Sequence, residues 1–294
     1  MYKNSLIVGA GSKLVRFLLP ELLRISEKIT LLTKESDVNY NNLRVSHLKA
    51  NLAEGCELDD AFDLVVYLAG VTPYGNNKNK SNAYFYDSNV RPLINVLGYC
   101  SKIKPKKFIF ISSTDVYQLN DKTQITEFTK PKPVNFYGVC KVISENCVNT
   151  FGEAFDFDVT ILRVGPVYGP GMNRNLSIWK LLKNIWNEEA IVISNPNNIL
   201  SLVSSKDAAF AIIKSINGSA GLYNIVGSKL TIEEFLKHAS RIYNKKTFPF
   251  SCVNNAESGI NLNFSLSKAE KHIGWKPSYI DEEVVLEMSN EFNG

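Results

Sequence analysis

Tyr137 and Lys141 stand four residues apart in the run Tyr137-Gly138-Val139-Cys140-Lys141. In a helix that spacing puts both side chains on one face. A phenol with a pKa of about 10 is a poor base at neutral pH. A nearby ammonium, together with the positive nicotinamide of an oxidised dinucleotide, stabilises the phenolate and lowers that pKa. Upstream lies Ile111-Ser112-Ser113-Thr114-Asp115-Val116-Tyr117, where Ser113 can hydrogen-bond the same substrate oxygen. The chemistry such a set supports is hydride transfer at a carbinol carbon. The phenol moves the proton, Lys141 also holds the nicotinamide ribose, and the nicotinamide carries the hydride. Tyr-x-x-x-Lys also arises by chance, as a surface tyrosine stacked on a lysine. The pair gains weight from its place behind Ser113 and behind a glycine turn.

That turn is Val8-Gly9-Ala10-Gly11-Ser12-Lys13-Leu14-Val15. A phosphate site there needs a tight turn, close backbone approach and a helix N-terminus aimed at the pyrophosphate. Gly9 supplies the turn. Ser12 is small enough to let a phosphate approach and has an N–H to offer, and Lys13 and Leu14 follow it into the helix. Val15 falls where close helix–strand packing usually takes glycine. The second strand ends in Thr33-Lys34-Glu35. An acidic residue at its end would bond the ribose 2′-OH of NAD. Lys34 instead suits a 2′-phosphate, a lean toward NADP, although a solvated strand-end lysine reads the same.

Apolar periodicity supplies the elements that must position these residues. Strands are expected at Leu6–Val8, Lys28–Thr33, Val45–Lys49 (weakly), Leu64–Ala69, Lys107–Ser112 and Val159–Val164, with helices at Leu14–Ile25, Asp87–Lys102 and Tyr137–Phe151. Alternating strands and helices with near-continuous apolar strands predict an α/β fold with a doubly wound parallel Rossmann sheet. The ligand then sits at the carboxyl ends of the strands. After Gly171 the pattern changes. Helices are expected at Asn175–Asn187, Lys206–Ile216, Thr231–Asn244, Lys268–Ile273 and Glu282–Phe292, and strands at Ala190–Ile193 and Gly221–Val226. Residues 1–170, completed by parts of 200–226, read as the dinucleotide-binding domain, and 171–294 as a smaller mixed α/β substrate domain.

The 294 residues are 45% hydrophobic, enough for a sizeable core. The net charge of +4 comes from 33 basic and 29 acidic residues. The nearest thing to a basic block, Lys102, Lys104, Lys106 and Lys107, reads as a solvated loop, not a nucleic-acid contact. Five cysteines (Cys56, Cys100, Cys140, Cys147 and Cys252) without a C-x-x-C pair argue against a disulfide framework or zinc site and fit a reducing cytosol. No metal site is expected. No apolar stretch approaches the roughly 20 residues of a membrane span, and the N-terminal apolar run is too short for a signal peptide.

Several further segments carry a resemblance. Val65-Val66-Tyr67-Leu68-Ala69-Gly70, Ser88-Asn89-Val90, Leu162-Arg163-Val164-Gly165-Pro166-Val167-Tyr168-Gly169-Pro170-Gly171 and Ser267-Lys268-Ala269-Glu270-Lys271-His272-Ile273-Gly274-Trp275-Lys276-Pro277 occur in this order. Over nearly its whole length the chain resembles the extended short-chain dehydrogenase/reductases, the NAD-dependent epimerase/dehydratase family. UDP-glucose 4-epimerase and the nucleotide-sugar dehydratases and reductases belong there. The resemblance implies Ser113, Tyr137 and Lys141 as the catalytic triad. It implies a cofactor site at Gly9, Ser12, Lys13, Leu14, Lys34, Asn51, Leu52, Leu68, Ala69, Gly70, Pro166 and Val167, with Tyr137 and Lys141. Val71, Thr114, Asp115 and Arg174 are the expected substrate contacts.

The chain also departs from that pattern. The family's G-x-x-G-x-x-G glycines appear as Gly9, Ser12 and Val15, and its aspartate after the third strand as Asn51, which can still hydrogen-bond the adenine. Its diphosphate-gripping arginine falls on Leu200, and the arginine-containing segment before the C-terminal motif is not recognisable around Asn254–Gly259. Bidentate Arg–phosphate bonds are hard to replace. Arg174, Lys180 and Lys183 are the sequence's substitutes. The dehydratases' Asp-Glu pair appears as Thr114 and Asp115, which disfavours dehydration. The expectation is an NAD- or NADP-dependent epimerase or reductase of a nucleotide sugar. The alternatives are a reductase of a non-nucleotide carbonyl compound and a catalytically silent dinucleotide-sensing protein. The resemblance also implies a cytoplasmic homodimer paired through the Asp87–Lys102 and Tyr137–Phe151 helices, with Val142, Ile143 and Val148 outward. Packing within one subunit explains those three equally well.

Overall fold

The computed structural model describes residues 1–34, 40–118, 124–193, 195–245, 250–252 and 262–292. Glu35, Pro249, the 254–259 segment and the side chain of Cys252 lie outside the described residues. The first half runs β1 (Tyr2–Val8), α1 (Val15–Ile25), β2 (Ser26–Thr33), β3 (Val45–Lys49), β4 (Leu64–Tyr67), α2 (Asn82–Asn89), α3 (Arg91–Ile103), β5 (Lys107–Ser113), α4 (Phe136–Phe155) and β6 (Asp158–Val164). Next come β7 (Val167–Tyr168), α5 (Ser177–Trp186), β8 (Ile191–Ile193), β9 (Ile199–Leu200), β10 (Val203–Ser204) and α6 (Ser205–Asn217). The chain continues through β11 (Gly221–Ile225), β12 (Leu230–Thr231), α7 (Ile232–Ile242), β13 (Phe250–Cys252), α8 (Ser267–Ile273) and α9 (Glu282–Ser289).

Seven strands form one parallel sheet in the order β3-β2-β1-β4-β5-β6-β11. This is the doubly wound Rossmann-like arrangement that the apolar strands predict, because helices on both faces require both faces to be apolar. Along β1, Leu6 and Val8 join one core cluster and Ile7 the other. A third cluster gathers α5, α7 and α9 around Trp179, Leu182, Phe235 and Met288. The expected weak strand at Val45–Lys49 is the sheet's edge, where an exposed face leaves little need for apolar residues.

One expectation needs correction. The single helix expected at Asp87–Lys102 is two, meeting at Val90. Pro92 is the cause: it lacks an N–H and its ring disfavours the preceding helical turn, so it sits at the start of α3. Val148, which fitted an outer face and packing within the subunit equally well, is fully buried in the core cluster beneath the sheet. Val142 and Ile143 are half-buried against neighbours on their own subunit.

One buried polar network ties together the strands and helix that carry the motifs. The Arg163 guanidinium on β6 donates to the Glu145 carboxylate of α4 through Nε at 2.9 Å and Nη2 at 2.6 Å, and through Nη1 to the Tyr117 hydroxyl at 2.7 Å. Ser112 donates to the same carboxylate, and Tyr117 to Asn224 of β11 at 2.8 Å. Arg163 and Glu145 side chains are only 5% and 7% exposed, so neither charge has water to fall back on. Truncating one member leaves the other buried and uncompensated, which costs about 3–5 kcal/mol. Glu145→Ala is therefore expected to lower unfolding stability by that amount in urea titration. Glu145→Leu combined with Arg163→Met is expected to lower it less than the single change.

Candidate active site

The strand order reverses between β1 and β4, and a cleft of about 1800 Å³ opens at their carboxyl ends. Pockets for a single small ligand run to about 1,000 Å³, so this one has room for two ligands end to end. One end is the glycine turn. The Gly9 amide donates to the Leu32 carbonyl at 2.8 Å, and Leu68 donates to Val8 at 2.8 Å, which seats the turn between β2 and β4. Gly9 has φ +87°, and a Cβ there would stand 2.5 Å from the Ala69 amide nitrogen, so the turn requires glycine.

The degenerate part of the turn departs from the expectation. The Ser12 amide is not free: it donates to the Gly9 carbonyl at 3.0 Å and closes the turn. Val15 is fully buried in the core, facing away from the cleft. α1 packs there on α6, whose Ala208, Ala209 and Ala211 are small enough to accept the extra side chain. The cleft is thus open where a glycine would usually lie.

Ser113 at the end of β5 and Tyr137 and Lys141 in the first turns of α4 meet on the cleft wall. α4 starts at Asn135, whose side chain accepts the Gly138 amide at 2.8 Å. Gly138 is required by close approach: a Cβ would lie 2.3 Å from the Asp115 carbonyl oxygen. The Ser113 hydroxyl lies beside the Tyr137 phenol and favours its ionised form. The Lys141 Nζ lies 5.7 Å from the Tyr137 ring centroid and 5.0 Å from that of Phe110, and donates to the Ile111 carbonyl at 2.9 Å. Burial holds Lys141 down at about 8, with Glu145 opposing the shift. Burial, reinforced by the Asp115 charge, raises Tyr137 above the ordinary phenol value, and the Ser113 hydroxyl works against this. The lowered phenol expected from the sequence needs a positive nicotinamide as well as Lys141, and in the protein alone desolvation dominates.

All of the cofactor residues expected from the sequence line this cleft: with Tyr137 and Lys141, they are Gly9, Ser12, Lys13, Leu14, Lys34, Asn51, Leu52, Leu68, Ala69, Gly70, Pro166 and Val167. The Asn51 side chain is engaged by Glu54. Val71 and Asp115 also line it, but Thr114 and Arg174 do not. Thr114 is buried in the turn after β5, and Arg174 is exposed with its guanidinium 5.8 Å from the Trp179 ring. Lys180 and Lys183 are likewise off the wall, and Leu200 packs against the third core cluster.

Sequence reasoning missed three residues here. Tyr74, in the loop after β4, donates to the Asp115 carboxylate at 2.7 Å, and Asn135 donates to the same oxygen at 3.3 Å. Asn89 accepts the Val71 amide at 3.1 Å and donates to Phe85 at 2.9 Å, which fixes the loop beside Gly70. An asparagine just before Pro92 and another just before the Tyr137 helix were visible signals. Tyr74 gave none, because its partner is 41 residues away.

The family model described as "NAD dependent epimerase/dehydratase family" matches residues 5–225. An uncharacterized UDP-glucose epimerase of Bacillus subtilis is 24% identical over 66% of this chain and 62% of its own length. UDP-glucuronate 4-epimerase of Thermodesulfobacterium geofontis is 23% identical over 74% of this chain and 69% of its own. Across three curated relatives, the Bacillus protein among them, the match spans 52%, 62% and 46% of their length. Among solved structures, UDP-N-acetylglucosamine 4-epimerase of Methanobrevibacter ruminantium, in complex with UDP-N-acetylmuramic acid, superposes with a TM-score of 0.82 at 22% identity, covering 99% of this chain and 98% of that one. UDP-glucuronic acid 4-epimerase of Bacillus cereus, in complex with NAD, gives 0.80 at 20% identity with 99% and 98% covered. At these identities the structures speak for the fold. The family match, which takes in the glycine turn, Ser113 and the Tyr137–Lys141 pair, places the chain in the NAD dependent epimerase/dehydratase family.

Proposed function

We propose that this protein is an NAD-dependent 4-epimerase of a UDP-sugar, with Ser113, Tyr137 and Lys141 as its catalytic residues. The observation that carries the reading is their convergence: Ser113, Tyr137 and Lys141 meet on the wall of one cleft with room for two ligands, the Lys141 ammonium 5.7 Å from the Tyr137 ring centroid. The names of the relatives support the reaction and the substrate class. The glycine turn, whose Gly9, Gly11 and Ser12 line the cleft, fits a dinucleotide diphosphate. Lys34, exposed at the end of β2, suggested NADP. Nothing in the relatives supports that lean, and we take NAD as the cofactor.

Bound NAD would accept a hydride from the sugar carbon and return it to the opposite face. The protein does the rest. Tyr137 takes the hydroxyl proton as the carbonyl forms and gives it back as the hydride returns. Ser113 holds the substrate oxygen against the phenol. Lys141 stabilises the phenolate once a second positive charge has entered the cleft to offset its desolvation. Asp115, held by Tyr74 and Asn135, opposes phenolate formation. The phenol is thus kept protonated until the cleft is loaded.

Incubation with UDP-glucose, UDP-N-acetylglucosamine and UDP-glucuronic acid, followed by NMR, tests the reading. Interconversion of the 4-epimers without net consumption of NAD or NADH is expected. Stoichiometric consumption of reduced cofactor would instead make the protein a reductase. Tyr137→Phe is expected to lower kcat by about 10²–10⁴ while leaving the folded structure intact by circular dichroism. Asp115→Asn keeps the acceptor for Tyr74 and Asn135 but removes the negative charge that raises the phenol. Its pH profile of kcat is therefore expected to rise at lower pH than the wild type; an unmoved profile would show that Asp115 does not tune Tyr137.

A further inference from the structure

Relatives named for UDP-glucose and for UDP-glucuronate match this chain at 24% and 23% identity, so their names do not say whether the sugar is neutral or carries a carboxylate. The charges on the cleft wall bear on that choice. The acids that line it are Asp87, Asp115 and Glu291. Asp87 is paired with Arg91 at 2.8 Å, and Glu291 accepts the Gly171 amide at 2.7 Å. Asp115 differs from both. It follows Ser113 by two residues, is only 9% exposed, and its charge is felt at the Tyr137 phenol. Among the described residues it enters no ion pair. The Tyr74 hydroxyl at 2.7 Å and the Asn135 amide at 3.3 Å both donate to its Oδ2. No donor of a described residue reaches Oδ1. That oxygen is an acceptor in want of a donor. A sugar hydroxyl or an acetamido N–H can supply one; a carboxylate cannot.

The cations on the wall are engaged elsewhere. Lys141 donates to the Ile111 carbonyl at 2.9 Å, Arg16 is held by Glu287 at 2.8 Å, and Lys13 donates to the Val167 carbonyl at 3.1 Å. Lys34 is at the end of β2. Lys80 is exposed over the Tyr84 ring and does not line the cleft, nor do Arg174, Lys180 and Lys183. Around Tyr74 the wall carries neutral hydrogen-bonding groups instead, Asn77, Tyr84 and Asn173.

We propose that Asp115 makes the site selective for an uncharged sugar, a neutral hexose or N-acetylhexosamine, and turns uronic acids away. The inference rests on the 4-epimerase reading and narrows its substrate class. With C4 of the sugar at Tyr137, the carboxylate of a uronic acid hangs from C5, the neighbouring ring carbon. It would enter the wall that Asp115 occupies with no described cation free to pair with it. Like charges brought together away from water repel, and that repulsion falls on the uronate while a neutral sugar escapes it.

The test compares steady-state 4-epimerisation of UDP-glucose, UDP-N-acetylglucosamine, UDP-glucuronic acid and UDP-glucuronamide, the last a neutral amide with the shape of the uronate. Wild type, Asp115→Asn and Asp115→Ser are assayed with NAD present, and folding is checked by thermal unfolding. Wild type is expected to favour the better neutral sugar over the uronate by about 10- to 100-fold in kcat/KM, and to accept the amide better than the uronate. That comparison needs no substitution. Asp115→Asn is expected to shrink the neutral-to-uronate ratio about tenfold, largely through a lower KM for the uronate. The ratio separates selectivity from the effect of Asp115 on Tyr137 and from a purely structural role, because both of those act on every sugar alike. A wild type that turns over the uronate as well as its better neutral sugar overturns the inference and leaves the epimerase reading standing. A ratio unchanged in both variants, or an amide rejected as strongly as the uronate, overturns it equally. If none of these sugars is epimerised, the epimerase reading falls, and the inference with it.

Discussion

Keeping two ionisable groups out of water in one wall is the constraint on which this site depends. The Tyr137 phenol and the Lys141 ammonium are both buried, and burial pushes each toward its neutral form. Left alone, such a wall would be a liability, since an unpaired buried charge is expensive. The protein meets the cost in layers. Lys141 donates a hydrogen bond to the Ile111 carbonyl and lies against two aromatic faces. Glu145, one turn further along α4, provides negative charge, and Arg163 with Ser112 fixes that carboxylate from β6 and β5. Tyr137 and Lys141 are therefore backed by an ion pair that does not line the cleft.

The sheet order explains why this wall faces a cleft at all. Chain crossing from β3 to β4 leaves a gap above the ends of β1 and β4, and the loops leaving them diverge. Gly9 sits under one side of that gap and the Ser113 strand end on the other. The close approach of α4 to the turn after β5, allowed by Gly138, brings Asp115 beside Tyr137. Tyr74 then closes over Asp115 from a loop distant in sequence. An acidic group next to the phenol adds to burial in favouring its protonated form.

Loss of two glycines from the turn is absorbed by packing. Val15 is buried in the core and does not line the cleft. Ser12 uses its amide to close the turn.

The sequence by itself determined the alternation of elements, the parallel sheet, the position of the glycine turn and the placing of Tyr137 and Lys141 on one helical face. Those depend on local spacing: period two or 3.6 in apolar residues, and four residues between side chains one helical turn apart. It could not say which way Val15 points, whether the Ser12 amide is free, or that Arg174, Lys180 and Thr114 miss the cleft. Nor could it find Tyr74 for Asp115, or Arg163 for Glu145. Each of these depends on contacts between residues far apart in the chain, and on how much water burial removes from a charge. Only the packed structure fixes either, because desolvation is a property of all the neighbours at once and no short motif encodes it.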